Sequence, residues 1–310
     1  MAHSDAHSDA HYDSHHDIIT AAEPIGDLPK VRTITPADLR DVLAKGWDDF
    51  RAMPTHVVFL SLIYPIIGIL LGRAMFGLDL IPLLYPIATG FALVGPFAAI
   101  GLYELSRRRE MGMDTSWRHA FDIVHSPSFP SILALGLLLL VIFCVWIGIA
   151  HAIYVANFGF REPASLTAFA GTVLTTPAGH TMIVLGNLIG LGFAIVAFSL
   201  SVVSFPLLLD RNVGVAAAVT TSLEVVMANP AVMAMWGLIV AAGLFIGSLP
   251  LFVGLAVVMP VLGHSTWHLY RKVVEPDLNP RPEFNPRPKG RRYAADFPAS
   301  LFTSTKVDSP

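Results

Sequence analysis

The sequence predicts an all-α, polytopic membrane helix bundle of about six transmembrane helices. Three observations carry that expectation. Only 14% of the 310 residues are charged, while 54% are hydrophobic. Soluble domains run nearer about 25% charged. Six apolar runs are each long enough for a bilayer core of about 30 Å; they lie near 55–75, 79–105, 130–156, 181–209, 230–248 and 250–270. Lysine and arginine are also distributed unevenly between the connections, as they are around spanning helices.

The first 31 residues form a polar tail with no apolar core of a signal peptide. Residues 32–54 predict an amphipathic helix. Thr35-Pro36 reads as its start, because proline suits the first helical turn. Leu39, Leu43, Trp47 and Phe50 recur at steps of three and four, and Pro54 closes the pattern. Short, amphipathic and charged on its other face, this segment is expected to lie on the membrane. The first two spans are parted by a turn at Gly77-Leu78-Asp79, and the last two by Ser248-Leu249-Pro250.

Orientation follows from the basic residues. Arg32, Arg40, Lys45 and Arg51 precede the first span. Arg107, Arg108, Arg109 and Arg118 follow the second, Arg211 the fourth, and Arg271 and Lys272 the sixth. The opposite side has Arg73 and Arg161. Both termini are therefore expected on the cytoplasmic side. The domain plan is a His/Asp-rich tail over 1–31, a membrane domain over 32–274 and a Pro/Arg-rich tail over 275–310.

Three stretches share one grammar, an amphipathic segment, a proline and then a span: LAKGWDDFRAMP (43–54), SWRHAFDIVHSP (116–127) and VTTSLEVVMANP (219–230). With the prolines aligned, Phe50, Ile123 and Val226 share a column, as do Trp47, Ala120 and Leu223. Met53, Ser126 and Asn229 precede the proline. Proline disfavours helix in the residue before it, so it can turn a surface helix into a spanning one. The chain thus reads as three repeats of surface helix plus transmembrane hairpin.

No acidic or basic residue sits near the middle of an expected span, which argues against a proton-coupled pump. Gly68 and Gly72, Gly186 and Gly190, and Gly243 and Gly247 form GxxxG pairs suited to close helix packing. Asn187, Ser199, Ser201 and Ser204 make the fourth span polar, as interhelical hydrogen bonding requires. Pro65, Pro86, Pro96, Pro206 and Pro260 each free a backbone carbonyl for a neighbour to satisfy.

Histidine and aspartate are the candidate metal ligands. His3, His7, His11, His15 and His16 lie in a four-residue repeat with aspartates, a set that suits copper, nickel or zinc. The same composition fits a low-complexity tail with adventitious affinity for those metals. His56, His264 and His268 fall near the cytoplasmic ends of the first and sixth spans, and His264 and His268 share a helix face. They are either ligands for metal or haem, or interfacial residues beside Trp267 and Tyr270. His119 and His125 are expected in solvent. The lone Cys144 excludes an intrachain disulfide and a multi-cysteine metal site. No cofactor is predicted otherwise.

The passages ITPADLRDVLAKGWDDFRAMPTHV (34–57), GPFAAIGLYELSRRREMG (95–112), SVVSFPLLLDR (201–211) and VMPVLGHSTWHLYRKVV (258–274) resemble a family of bacterial predicted integral membrane proteins, the domain of unknown function 2189. The resemblance implies a polytopic protein of the bacterial inner membrane and supplies no activity and no site residues. The residues themselves leave three expectations. The first is a non-enzymatic accessory, assembly or membrane-organising factor. The second is a transporter or channel for a small neutral or lipidic solute, and the third a haem- or copper-linked respiratory component. Expected partners are the lipid bilayer, a protein in the membrane or a second copy of the chain, and no nucleic acid.

Overall fold

The computed structural model describes residues 28–53, 68–69, 81–160, 163–250 and 253–277. The histidine repeat, His56, the first expected span and the Pro/Arg-rich tail lie outside those residues. Helix α1 is Pro36–Ala52. A 3-10 turn at Ile81–Leu83 leads into α2, Leu84–Ala98, and α3, Ile100–Glu110. A second 3-10 helix, Trp117–His125, precedes α4, Phe129–Phe158. Then come α5, Leu166–Thr175, α6, Pro177–Ser201, and α7, Ser204–Asp210. The last three are α8, Gly214–Ala228, α9, Pro230–Ser248, and α10, Leu255–Val273. The expected all-α class is what the chain adopts.

Among the described residues three stretches are long and apolar enough to cross a membrane: Phe129–Phe158, Pro177–Asp210 and Pro230–Ser248. They coincide with the third, fourth and fifth expected spans. At 30 residues, α4 is about 45 Å long, more than the hydrocarbon core needs. It presents Leu133, Leu137, Leu140, Val141 and Val145 outward at helical spacing, an apolar stripe that suits lipid. Helix α5 was not foreseen. Its cap, Ser165, accepts from the Ala168 amide, and that local signal sits inside a connection the apolar runs do not mark.

The fourth expected span breaks at Val202 and Val203, between α6 and α7. Pro206 has no N–H to continue the ladder back to Val202. Serines close the gap. Ser222 on α8 donates to the Ser199 carbonyl (2.8 Å) and accepts from the Val203 amide (3.3 Å). Ser204 donates to the carbonyls of Leu200 (2.6 Å) and Ala218 (3.0 Å). Ser204 thus serves the broken backbone and ties α7 to α8, while Asn187 of the same span accepts from Tyr85 on α2.

The repeat has a geometric counterpart. Met53 ends α1 at φ −125°, ψ 38°, and Asn229 ends α8 at φ −130°, ψ 46°. Each amide donates back four residues, to Asp49 and Val225. The middle copy differs: it is a 3-10 helix, and Ser126 leaves it extended at φ −69°, ψ 138°. Phe50, Ile123 and Val226, aligned by sequence, are all half-buried and face apolar clusters.

Two glycines admit large rings. A side chain at Gly90 would meet Phe143 and Trp146, and one at Gly190 would meet Trp146. Trp146 fills the space so made and donates to the Pro86 carbonyl at 3.0 Å. Gly243 and Gly247 let α9 lie against Val258, Leu262 and Leu255.

Candidate functional site: a buried polar cluster joining three helices

The charged residues that the sequence places at the span ends converge. Helix α1 lies along α10, and its buried face is Leu39, Val42, Gly46 and Asp49. This is a rotated version of the expected face. Leu43 and Phe50 are half-buried, and Trp47 is 45% exposed. The rotation has two physical causes. Gly46 lets the backbones approach closely, since a Cβ there would stand 2.0 Å from Ser265 Oγ and 2.8 Å from the Val261 carbonyl oxygen. Asp49, a residue that hydrophobicity alone would turn outward, is drawn in by partners. The expected surface helix is therefore docked on protein along that face.

Asp49 is the node. Its Oδ2 accepts from Ser106 Oγ at 2.6 Å and pairs with His268 Nε2 at 2.9 Å, while Oδ1 pairs with the Arg109 guanidinium. Ser106 Oγ also lies 2.6 Å from His264 Nδ1. With the carboxylate ionised, the hydroxyl proton belongs to Asp49. The serine oxygen then accepts from His264 Nδ1–H. Asp49, Ser106 and His264 are buried. Burial alone would raise the Asp49 pKa. The hydrogen bonds from His268 and Ser106, with both imidazoles nearby, outweigh it and hold the group at about 2, below the ordinary 3.8.

Serine, histidine and aspartate in contact invite a comparison with nucleophilic catalysis. There the imidazole stands between hydroxyl and carboxylate, taking the proton of one and being oriented by the other. Here the serine stands in the middle and gives its proton to the carboxylate. The order suits a tie between α1, α3 and α10, not an activated nucleophile.

Further ties surround the node. Glu104 holds Arg107 at 2.7 Å and Arg108 at 2.8 Å, and Arg108 reaches Asp122 of the 3-10 helix at 2.8 Å. Glu110 accepts from Trp267 Nε1 (3.0 Å) and Arg271 (2.9 Å). Tyr270 donates to Asp210 at 2.5 Å. Lys272 bridges Asp38 (3.0 Å) and Asp41 (2.9 Å), which raises its own pKa and lowers that of Asp41, while the Thr35 amide and then Lys272 lower that of Asp38. A cleft of about 280 Å³ lined by Lys45, Glu110, His268, Arg271 and Lys272 opens beside the cluster.

The two ends of the domain are also joined. Val31 and Val274 form an antiparallel bridge, with Arg32 N–H on the Val273 carbonyl (2.7 Å) and Glu275 N–H on that of Lys30 (2.9 Å). Asn229 clamps the incoming strand, donating to the Arg32 carbonyl and accepting from the Ile34 amide.

Of the predicted site histidines, the structure brings His264 and His268 onto one carboxylate, while His56 and the tail histidines are outside the described residues. No group of three or more His, Cys, Asp or Glu residues suited to a metal ion occurs among the described residues. His119, expected in solvent, is half-buried between Asp122 (2.6 Å) and Asp114 (3.0 Å). Sequence reasoning missed Asp49, Ser106 and Glu104. The available signal was an acidic residue on the apolar side of an amphipathic helix, five residues before a proline.

The model of a family described as predicted integral membrane protein (DUF2189) matches residues 84–210, from the start of α2 to the end of α7. No curated protein and no solved structure matches the chain. The matched segment supplies Glu104, Ser106 and the arginines of α3, whereas Asp49, His264 and His268 come from outside it.

Proposed function

We propose that this chain, an integral membrane protein whose residues 84–210 belong to the DUF2189 family, is a non-enzymatic accessory or membrane-organising factor of the inner membrane. The observation that carries the reading is the use to which the buried polar groups are put. Asp49, Ser106, His264 and His268 bond to one another across three helices and lock them together. A rigid body of this kind offers surfaces to a partner. Both ends of its membrane domain leave from one paired segment, Lys30 to Arg32 against Val273 to Glu275. With the basic residues beside those ends, this supports cytoplasmic termini. Reporter fusions at each terminus test the orientation, and activity of an external reporter at either end overturns it.

The test of function is mass spectrometry of what co-purifies with the full chain in mild detergent. A stoichiometric membrane protein partner is the expected result. Turnover by the purified chain on its own would overturn the reading. A second reading, a carrier for a small neutral or lipidic solute, draws on the break between α6 and α7, because interrupted spans build transport sites. Solute flux in liposomes holding only this chain, lost on Ser222→Ala, would favour it.

A further inference from the structure

The 3-10 helix Trp117–His125 has three separate faces, because side chains three residues apart eclipse in this geometry. Ala120 and Ile123 point into the protein, Ala120 packing where Gly101 leaves room. His119 and Asp122 are fixed to Asp114 and Arg108. The third face is Arg118, Phe121 and Val124. Phe121 is 55% and Val124 58% exposed, and the Trp117 ring meets Phe121 edge-on at 6.2 Å. Arg118 is exposed and makes no ion pair among the described residues, unlike Arg107, Arg108 and Arg109 before it.

We propose that this third face is a bilayer-docking surface. It would seat Phe121 and Val124, with the Trp117 ring against Phe121, at the headgroup–acyl boundary and place Arg118 among anionic phospholipid headgroups. Two observations select lipid as the occupant. Only Ser126, Pro127 and Ser128 separate the 3-10 helix from α4, which begins at Phe129 and turns the apolar Leu133 and Leu137 outward. Its composition is also interfacial: an indole and a phenyl beside an arginine whose stem can lie along them while its head stays wet. The inward and polar faces hold the segment against α3, so the apolar face is presented as a fixed surface rather than on a free peptide. The inference rests on α4 crossing the bilayer, and does not depend on the accessory role.

The test places a nitroxide label on the full chain at Phe121→Cys, and separately at Val124→Cys, in a Cys144→Ser background. Asp114→Cys, on a side chain 71% exposed, is the aqueous control. The chains are reconstituted in phosphatidylcholine vesicles with and without phosphatidylglycerol. Collisions with oxygen, which partitions into lipid, are compared with those of a water-soluble nickel complex. Oxygen collisions should exceed nickel collisions several-fold at 121 and 124, with the reverse at 114. Nickel preference at 121 and 124 would put the face in water and overturn the proposal. Protection from both reagents would mean that protein, a partner or a second copy, covers it, and would overturn the proposal equally. Phosphatidylglycerol should deepen the label at 121, and Arg118→Gln should abolish that gain. A gain that survives the substitution removes Arg118 from headgroup binding.

Discussion

The two halves of this molecule are held together by different means. Where α1, α3 and α10 meet, charged and hydroxyl groups are buried on one another, with Asp49 at the centre. Where α2, α4 and α6 meet, the contacts are aromatic rings seated on glycines, with Trp146 between Gly90 and Gly190. The outer surface of α4 there is apolar from Leu133 to Val145. The contrast follows from the surroundings. Among lipid tails there is no hydrophobic force between helices, so close packing and a few hydrogen bonds must suffice. At the span ends water competes for polar groups, so their burial is offset where they bond to one another, as they do at Asp49.

The sharpest way to break the comparison is to empty the node. Asp49→Ala leaves Ser106, His268 and Arg109 without their shared acceptor. Removing one partner of a buried ionic set costs about 3–5 kcal/mol, and the low end, about 3 kcal/mol, applies because Arg109 is 40% exposed. The thermal unfolding midpoint in detergent should fall accordingly, and Asp49→Asn, which still accepts from Ser106, should fall less. A wild-type midpoint for the alanine variant would mean that the node holds nothing.

Gly46→Ala sharpens the same contrast. The added Cβ would stand 2.7 Å from the Ser265 amide nitrogen and 2.8 Å from the Val261 carbonyl, both backbone atoms that cannot swing away. Overpacking of this kind costs about 1–3 kcal/mol. On a helix free of α10 the same change would stabilise by about 1 kcal/mol. The sign of the shift in midpoint therefore reports whether α1 is docked on α10.

Acid probes the node more gently, since protonation leaves the oxygens in place. Asp49 titrates at about 2 in the fold against an ordinary 3.8. A carboxylate with a depressed pKa contributes all its stability above the unfolded value and loses it as pH falls through the folded one. The Asp49 contribution to the midpoint should be intact above pH about 4 and be lost toward pH about 2. Asp38, also held at about 2, adds to that loss. Asp49→Asn should flatten part of the slope, and an unchanged slope would place the titrating tie elsewhere.

These residues also mark what the sequence could and could not disclose. Three expected spans appear as long apolar helices, because length and hydropathy are local properties. Two of the three proline-marked segments end alike, at Met53 and Asn229, because the pre-proline residue must leave the helix, whereas the middle one ends extended at Ser126. The cluster was not legible. His264 and His268 are 215 and 219 residues from Asp49, and only the docking of α1 on α10 brings them within reach. Periodicity also favoured Trp47 over Asp49 for the buried face, since it weighs hydrophobicity and has no knowledge of waiting partners.

The smallest expected effect lies in the other half. Tyr85 on α2 donates to Asn187 Oδ1 on α6 at 2.8 Å, on an exposed surface. Asn187 also donates to the Ile183 carbonyl of its own helix at 2.8 Å, so it keeps one partner when the tyrosine is changed. Interhelical hydrogen bonds within membranes average about 0.6 kcal/mol. Tyr85→Phe should therefore lower the midpoint slightly, by much less than Asp49→Ala. If its effect equalled that of the node, polar ties would govern both halves, and the division between a hydrogen-bonded end and a packed membrane body would fail. If Tyr85→Phe were neutral while replacing Trp146 by alanine were severe, the division would stand in its strongest form, with the body held by packing alone.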